Sequence, residues 1–143
     1  MAFQIFILED DSNFLDLIKL RLSQWQPMAK ITSVSTLKEA RARLKDNSDN
    51  FELVVLDQQL PDGYGYELAD APEFKHAAIL AVSSDTAPEL PAQTVLHGAQ
   101  HFLDKRQVSA PLFIPLVEAL VQRKKLELKL QNIAEQQTRL KTI

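Results

Sequence analysis

Five polar residues of this chain close short apolar runs: the acids Glu9 and Asp10, the acid Asp57, the hydroxyl Ser83 and the cation Lys105. If those runs are neighbouring parallel strands, their ends open on the crevice where ligands bind in open α/β sheets. Three carboxylates within a few ångströms repel one another, so either their pKa values rise or a cation sits among them. A hard divalent ion suits such a set. Mg²⁺ takes oxygen ligands, keeps several waters and commonly uses one or two carboxylates, which leaves Asp57 able to bind it and still react. A carboxylate is also a nucleophile toward phosphorus, and Lys105 beside it supplies charge against a transferring phosphoryl group.

The elements that must position these residues are legible in order. Phe51-Glu52-Leu53-Val54-Val55-Leu56-Asp57 has no polar alternation and runs into a turn rich in Pro and Gly, Gln58 to Gly65. It reads as a strand buried on both faces, as in a parallel sheet. Gln4-Ile5-Phe6-Ile7-Leu8 is a second such strand, stopped by Glu9-Asp10-Asp11. Asp11 or Ser12 caps the helix that follows, with Phe14, Leu15, Ile18, Leu22 and Trp25 at helical spacing up to Pro27. Lys30 to Val34 is a weaker strand, and Thr36-Leu37-Lys38-Glu39 has the capping-box pattern for a helix through Ala40 and Leu44.

A polar loop, Asp46-Asn47-Ser48-Asp49-Asn50, leads back into the central strand. After Gly63 and Gly65, a short helix from Tyr64 to Ala69 or Ala71 is expected before Pro72. His76 to Val82 is the fourth strand, followed by a helix crowded by Pro88 and Pro91. His97-Gly98-Ala99 makes a turn into Gln100-His101-Phe102-Leu103-Asp104, and Ser109 with Pro111 starts the last helix. Strands alternating with helices point to a doubly wound α/β domain with a parallel sheet, because parallel strands require crossovers. In the last helix Leu112, Leu116, Ala119, Leu126, Leu130, Ile133 and Leu140 keep a 3-4 alternation interrupted by Arg123 and Gln137. It reads as a protruding amphipathic helix that self-pairs or leads elsewhere, with a solvated tail as the plain alternative.

At 143 residues the chain holds one domain with a sizeable core plus an appendage. A hydrophobic fraction of 45%, 24% charged residues and a net charge of -3 give no reason to propose nucleic acid or a membrane surface as partner. The absence of cysteine excludes disulfides, thiolate metal sites and thiol nucleophiles, and fits a reducing compartment. The start, Met1-Ala2-Phe3-Gln4, has no basic leader region, and no stretch reaches the roughly 20 apolar residues of a membrane span. The cytoplasm is the expected compartment.

Taken together, the pair Glu9-Asp10, the motif Asp57-Gln58-Gln59-Leu60-Pro61 with Gly65, the pair Ser83-Ser84, and Gly98-Ala99 ahead of Phe102 and Lys105 resemble the receiver domain of two-component response regulators. The resemblance covers roughly residues 3–122 within an expected domain of 1–122, and leaves 123–143 as a helical extension, coiled coil or linker. It implies a five-stranded flavodoxin-like sheet of order 2-1-3-4-5. It also implies that Asp57 accepts a phosphoryl group from a sensor histidine kinase or phosphotransfer protein. Asp10 and Asp57 would ligate Mg²⁺, Glu9 would hold it through water and Gln59 would lend its backbone carbonyl. Lys105 would pair with the phosphoryl oxygens. Ser83 would hydrogen-bond them and Phe102 would change rotamer with it, a charge-triggered two-state switch.

The same resemblance makes the chain a signalling phosphoacceptor rather than an enzyme. Its output would pass to a partner protein or a further effector domain, or through a homodimer made by the C-terminal helix. Gln59 and Asp85 flank the acceptor at positions that govern phosphoryl lifetime in receivers. Three features depart from the usual family pattern: Glu9 replaces the commoner Asp, a change familiar in the family, Arg106 stands where a proline usually follows the lysine, and Pro88 and Pro91 fall in the fourth helix.

Plainer readings attach to other residues. Asp11 is a helix cap, Asp62 belongs to a solvated turn, Trp25 is a packing residue, and the scattered His76, His97 and His101 are structural. A phosphorylation-independent scaffold of the same fold would have lost Asp57, Lys105 or the acid pair, and all are present. A phosphohydrolase with its nucleophile in Glu9-Asp10-Asp11 would leave Asp57 without a task.

Overall fold

All five apolar runs form strands, and each lies parallel to its neighbours. The computed structural model describes residues 2–46, 50–84, 94, 96 and 98–141. In chain order they form β1 (Gln4–Leu8), α1 (Ser12–Trp25), β2 (Lys30–Val34), α2 (Leu37–Lys45), β3 (Leu53–Asp57), β4 (Ala78–Ser83), β5 (His101–Asp104) and α3 (Phe113–Lys141). The sheet has the order β2-β1-β3-β4-β5, the flavodoxin-like arrangement expected. Strand order reverses between β1 and β3, so their carboxyl ends flank the crevice that doubly wound sheets use for ligands.

Every residue of β3 and of β4 is buried, which is why these strands carry no polar alternation. Successive side chains point to opposite faces, and two cores result. On one face Ile5, Ile7, Leu53, Val55, Leu80, Val82 and Leu103 pack against Phe14, Ile18 and Leu22 of α1 and Phe113, Val117 and Leu120 of α3. On the other, Phe6, Leu8, Val54, Leu56, Ile79 and Ala81 pack against Leu37, Ala40 and Leu44 of α2 and against Phe51 and Phe74. Phe6, Phe51 and Phe74 form an aromatic triad there, with ring centroids 5.2 to 6.0 Å apart.

The helix starts follow their side-chain caps. Asp11 accepts from Asn13 N at 2.9 Å to open α1, and Thr36 Oγ1 accepts from Glu39 N at 3.0 Å to open α2. Between β3 and β4, however, the expected α-helix is replaced by two 3-10 turns, Gly65–Leu68 and Pro72–Phe74. Pro72 forbids continuation, and the few residues before it are too short a run to offset helix nucleation. The last helix begins at Phe113 rather than Ser109, because Lys105–Ser109 closes as a 3-10 turn. Pro115 lies in the first turn of α3, where a missing N–H leaves no intrahelical bond unmade.

The proline-crowded helix with Pro88 and Pro91 lies outside the described residues, as do Asp85, His97 and most of the polar loop, residues 47–49. Among the described residues, no helix is long and apolar enough to cross a membrane.

Candidate functional site

Strand periodicity delivers the acids and the lysine to one place. Ile5 and Ile7 of β1, Leu53 and Val55 of β3 and Leu103 of β5 all face the α1 and α3 side. Continuing each alternation by two residues gives Glu9, Asp57 and Lys105. Lys105 Nζ lies 3.0 Å from Glu9 Oε2 and 3.3 Å from Asp57 Oδ2, hydrogen-bonded to both. Phe14 of α1 sits under the ammonium, 4.8 Å from Nζ to the ring centroid. Glu9 and Asp57 are each only 2% exposed, so their charges meet protein rather than water.

The remaining carboxylate contacts are partly local. Glu9 Oε2 also accepts from Asp11 N at 3.1 Å, and Asp57 Oδ1 accepts from Gln59 N at 3.2 Å. Glu9 Oε1 is 2.9 Å from Lys105 Nζ, but off the hydrogen-bonding direction, so this buried oxygen has charge contact and no hydrogen bond. Asp10 is exposed beside them, and Glu9, Asp10 and Asp57 each offer an oxygen within 4.8 Å of the others.

Charge is unbalanced in this cluster, with three carboxylates against one ammonium. Burial, then the hydrogen bond and charge of Glu9, then the hydrogen bond of Asp10 push the Asp57 carboxyl up to about 8, with Lys105 opposing. For Lys105, burial pulls its pKa down, but the hydrogen bond to Glu9 and the charges of Asp57 and Glu9 outweigh it and hold the lysine above its ordinary value. A buried Glu9 oxygen with charge contact but no hydrogen bond, an all-oxygen donor set and an acid forced toward its neutral form fit a hard divalent cation.

The loop after β3 is fixed by close approach. A Cβ on Gly65 would lie 2.0 Å from the Asp57 backbone oxygen, so only glycine lets the chain pass. Gln58 N donates to Val82 O at 3.0 Å, tying this loop to β4. Ser83 is buried at the end of β4, in register with Asp104, and Phe102 is half-buried against the α2-side core. Gln59 is exposed, His76 is exposed on a turn and His101 is half-buried at the start of β5.

Two residues act differently from their sequence reading, and one was not singled out. Asp62 is not merely part of a solvated turn: its carboxylate accepts from Leu37 N at 2.9 Å and Lys38 N at 3.0 Å, capping α2 from another loop. Those two bonds hold its pKa below the usual carboxylate value. Arg106 donates its backbone N–H to Asp104 Oδ1 at 2.8 Å, a bond a proline has no hydrogen to make. Its guanidinium also pairs with that carboxylate, and Asp104 is held down to about 2 by these contacts. Gln58, passed over as a link in the motif, is fully buried; a polar residue directly after an apolar run was the available signal.

Fold and site together define a doubly wound α/β domain with an acid-and-lysine centre at the carboxyl edge of its sheet. The family described as response regulator receiver domain matches residues 5–113, and the chain belongs to that family. A curated relative, the two-component response regulator ARR21 of Arabidopsis thaliana, is 28% identical over 107 residues, 73% of this chain. The chain spans only 17% of that relative's length.

Among solved structures, a CheY-like receiver domain protein from Methanospirillum hungatei is 20% identical with a TM-score of 0.73, covering 89% of this chain and 99% of that one. A response regulator from Burkholderia pseudomallei, solved with a phosphorylated aspartic acid, calcium ion and citrate, is 18% identical with a TM-score of 0.68, covering 92% and 75%. These likenesses show the shared fold.

Proposed function

We propose that this chain is a Mg²⁺-dependent phosphoacceptor whose modified state alters a protein-binding surface. The observation that carries the reading is the bridging of buried Glu9 and Asp57 by Lys105 beside exposed Asp10, at the carboxyl ends of β1, β3 and β5. An Asp57 carboxylate oxygen attacks phosphorus as the donor's P–N bond breaks for a phosphohistidine, or its P–O bond for acetyl phosphate. Glu9, Asp10, Asp57 and the Gln59 backbone carbonyl would hold Mg²⁺, which when bound supplies positive charge against the phosphoryl oxygens. Lys105 neutralises those oxygens from the side of Phe14. The product is a conformational state of this protein, so the role is signalling.

The donor is a sensor histidine kinase or phosphotransfer protein, as membership of the family supports. Ser83 and Phe102 form the switch toward the α2-side layer, with Ser83 taking a phosphoryl oxygen. Output goes to a partner protein or an effector domain. Residues 123–143 extend the receiver and pair with a second copy. Two facts support that division: α3 is continuous to Lys141, and none of its described residues after Val121 is buried.

Intact-protein mass after incubation with Mg²⁺ and acetyl phosphate tests the reading, wild type beside Asp57→Asn. The expected result is a phosphate-sized gain in the wild type alone. A wild type that gains nothing under conditions that label another receiver makes the domain a phosphorylation-independent scaffold.

A further inference from the structure

The residue that follows Asp57 is a fully buried amide. Gln58 has no exposed surface and neither has Thr94, which lies in the crossover between β4 and β5. Gln58 Nε2 donates to Leu56 O at 3.0 Å, and Gln58 Oε1 accepts from Thr94 Oγ1 at 3.2 Å. A Leu or Met would fill such a position without needing any partner, whereas a buried amide is costly unless bonded. Burial therefore does not account for the choice of glutamine, and its two bonds must be considered for what they connect.

They connect the acceptor to the lead-in of β5. On one side the Gln58 backbone is fixed, with N–H on Val82 O at 3.0 Å and carbonyl under Gly65 N at 3.4 Å. The side chain and Asp57 therefore share one rigid support. On the other side Thr94 O accepts from Ala99 N at 3.2 Å, and Gln100 N donates to Ile79 O at 3.0 Å, one residue before β5 begins. Phe102 lies on β5 and Lys105 just beyond it, with Nζ back at Asp57 Oδ2, 3.3 Å away. The contacts form a ring that leaves the acceptor through Gln58 and returns to it through Lys105.

We propose that Gln58 is a positioning residue whose amide latches the Asp57 loop to Thr94, so that phosphorylation displaces the lead-in to β5 by a route separate from Ser83. The inference rests on the phosphoacceptor reading above. Parting Gln58 from Thr94 would take the donor from the buried Gln58 amide oxygen, so the pair moves together. Lys105, drawn to new phosphoryl oxygens, pulls on the far end of the same ring.

The test is hydrogen exchange of peptides spanning residues 98–104, before and after phosphorylation with acetyl phosphate and Mg²⁺, compared at equal phosphate occupancy by mass. Wild type and Thr94→Ser should both change their protection on phosphorylation. Gln58→Leu and Thr94→Val should lose that change, and the double variant should behave like either single one. The double variant removes both partners of the bond at once and keeps the test alive if a single variant unfolds. Retention of the wild-type response in the double variant overturns the latch, as does a phosphorylated wild type whose 98–104 protection stays unchanged. A wild type that takes no phosphoryl group overturns the phosphoacceptor reading, and the latch with it.

Discussion

Lys105 is held by Glu9 more closely than by the acid it is expected to serve: Nζ is 2.9 Å from Glu9 Oε1 and 3.3 Å from Asp57 Oδ2. Glu9 thus both anchors the lysine and crowds Asp57. In Glu9→Gln the crowding charge is gone while burial, the larger cause, stays. The Asp57 carboxyl should then titrate below about 8 but above its ordinary 3.8, read by carbon NMR in metal-free buffer. A midpoint still near the wild-type value would remove Glu9 as a cause. Mg²⁺ affinity in the same variant should fall by roughly tenfold or more, the usual effect of losing a group that orients metal ligands.

A second consequence concerns stability against pH. Asp57 is raised in the folded chain from 3.8 to about 8, so the folded state keeps a proton that the unfolded state gives up. Its contribution to stability is fully present below the unfolded value and is lost as pH rises through the folded one. Metal-free protein should therefore weaken between about pH 4 and pH 8, on the order of a few kcal/mol. Denaturant midpoints across that range check it. Asp57→Asn should flatten the slope, and saturating Mg²⁺ should flatten it too by favouring the carboxylate. Equal slopes in wild type and Asp57→Asn would place the acid-dependent stability elsewhere.

Much of this site could be read from sequence because parallel strands advertise themselves. The apolar runs Gln4–Leu8 and Lys30–Val34 coincide with β1 and β2 to the residue, and Glu9, Asp57 and Lys105 each fall two positions past an inward-facing aliphatic of the same face. The missed features are all long-range or conformational. Asp62 caps α2 across 25 positions, and no local pattern in Asp62-Gly63 announces Leu37 as its partner. The pair of 3-10 turns in place of a helix depends on how little chain separates Gly65 from Pro72, a matter of length that periodicity does not weigh. In sequence Gln58 is one residue of a Pro- and Gly-rich turn, and nothing local announces its buried bond to Thr94, 36 positions away.

Gly65 gives the sharpest steric prediction. A Cβ there would stand 2.0 Å from Asp57 O and 2.9 Å from its carbonyl carbon, both backbone atoms that cannot turn aside. Gly65→Ala should destabilise the fold by about 1–3 kcal/mol, the usual cost of overpacking, and should displace Asp57 from Lys105. Thermal melting reports the first effect and the phosphorylation rate with acetyl phosphate the second. An alanine variant with wild-type melting and rate would mean that the loop relaxes freely around Asp57.

The C-terminal helix carries two apolar rows, and among the described residues only one of them is packed against the rest of the chain. Phe113, Val117, Leu120 and Val121 are buried against the sheet, whereas Leu126, Leu130, Ile133 and Leu140 are 50% to 72% exposed. The exposed row advances by alternating steps of four and three residues through Gln137, a period that holds one face toward a second helix only if the two supercoil. Arg123, the other polar interruption, is engaged by Glu127 on its own helix at 3.4 Å. A second copy supplies an identical row, so self-association through residues 123–143 is expected. Leu130→Glu leaves the receiver core untouched, since Leu130 is 58% exposed in the single chain, but places a desolvated charge in the seam. It should weaken self-association by roughly tenfold or more. Light scattering over a concentration series decides: a wild type that rises toward twice the monomer mass while Leu130→Glu stays monomeric supports the seam, and identical monomer masses throughout remove it.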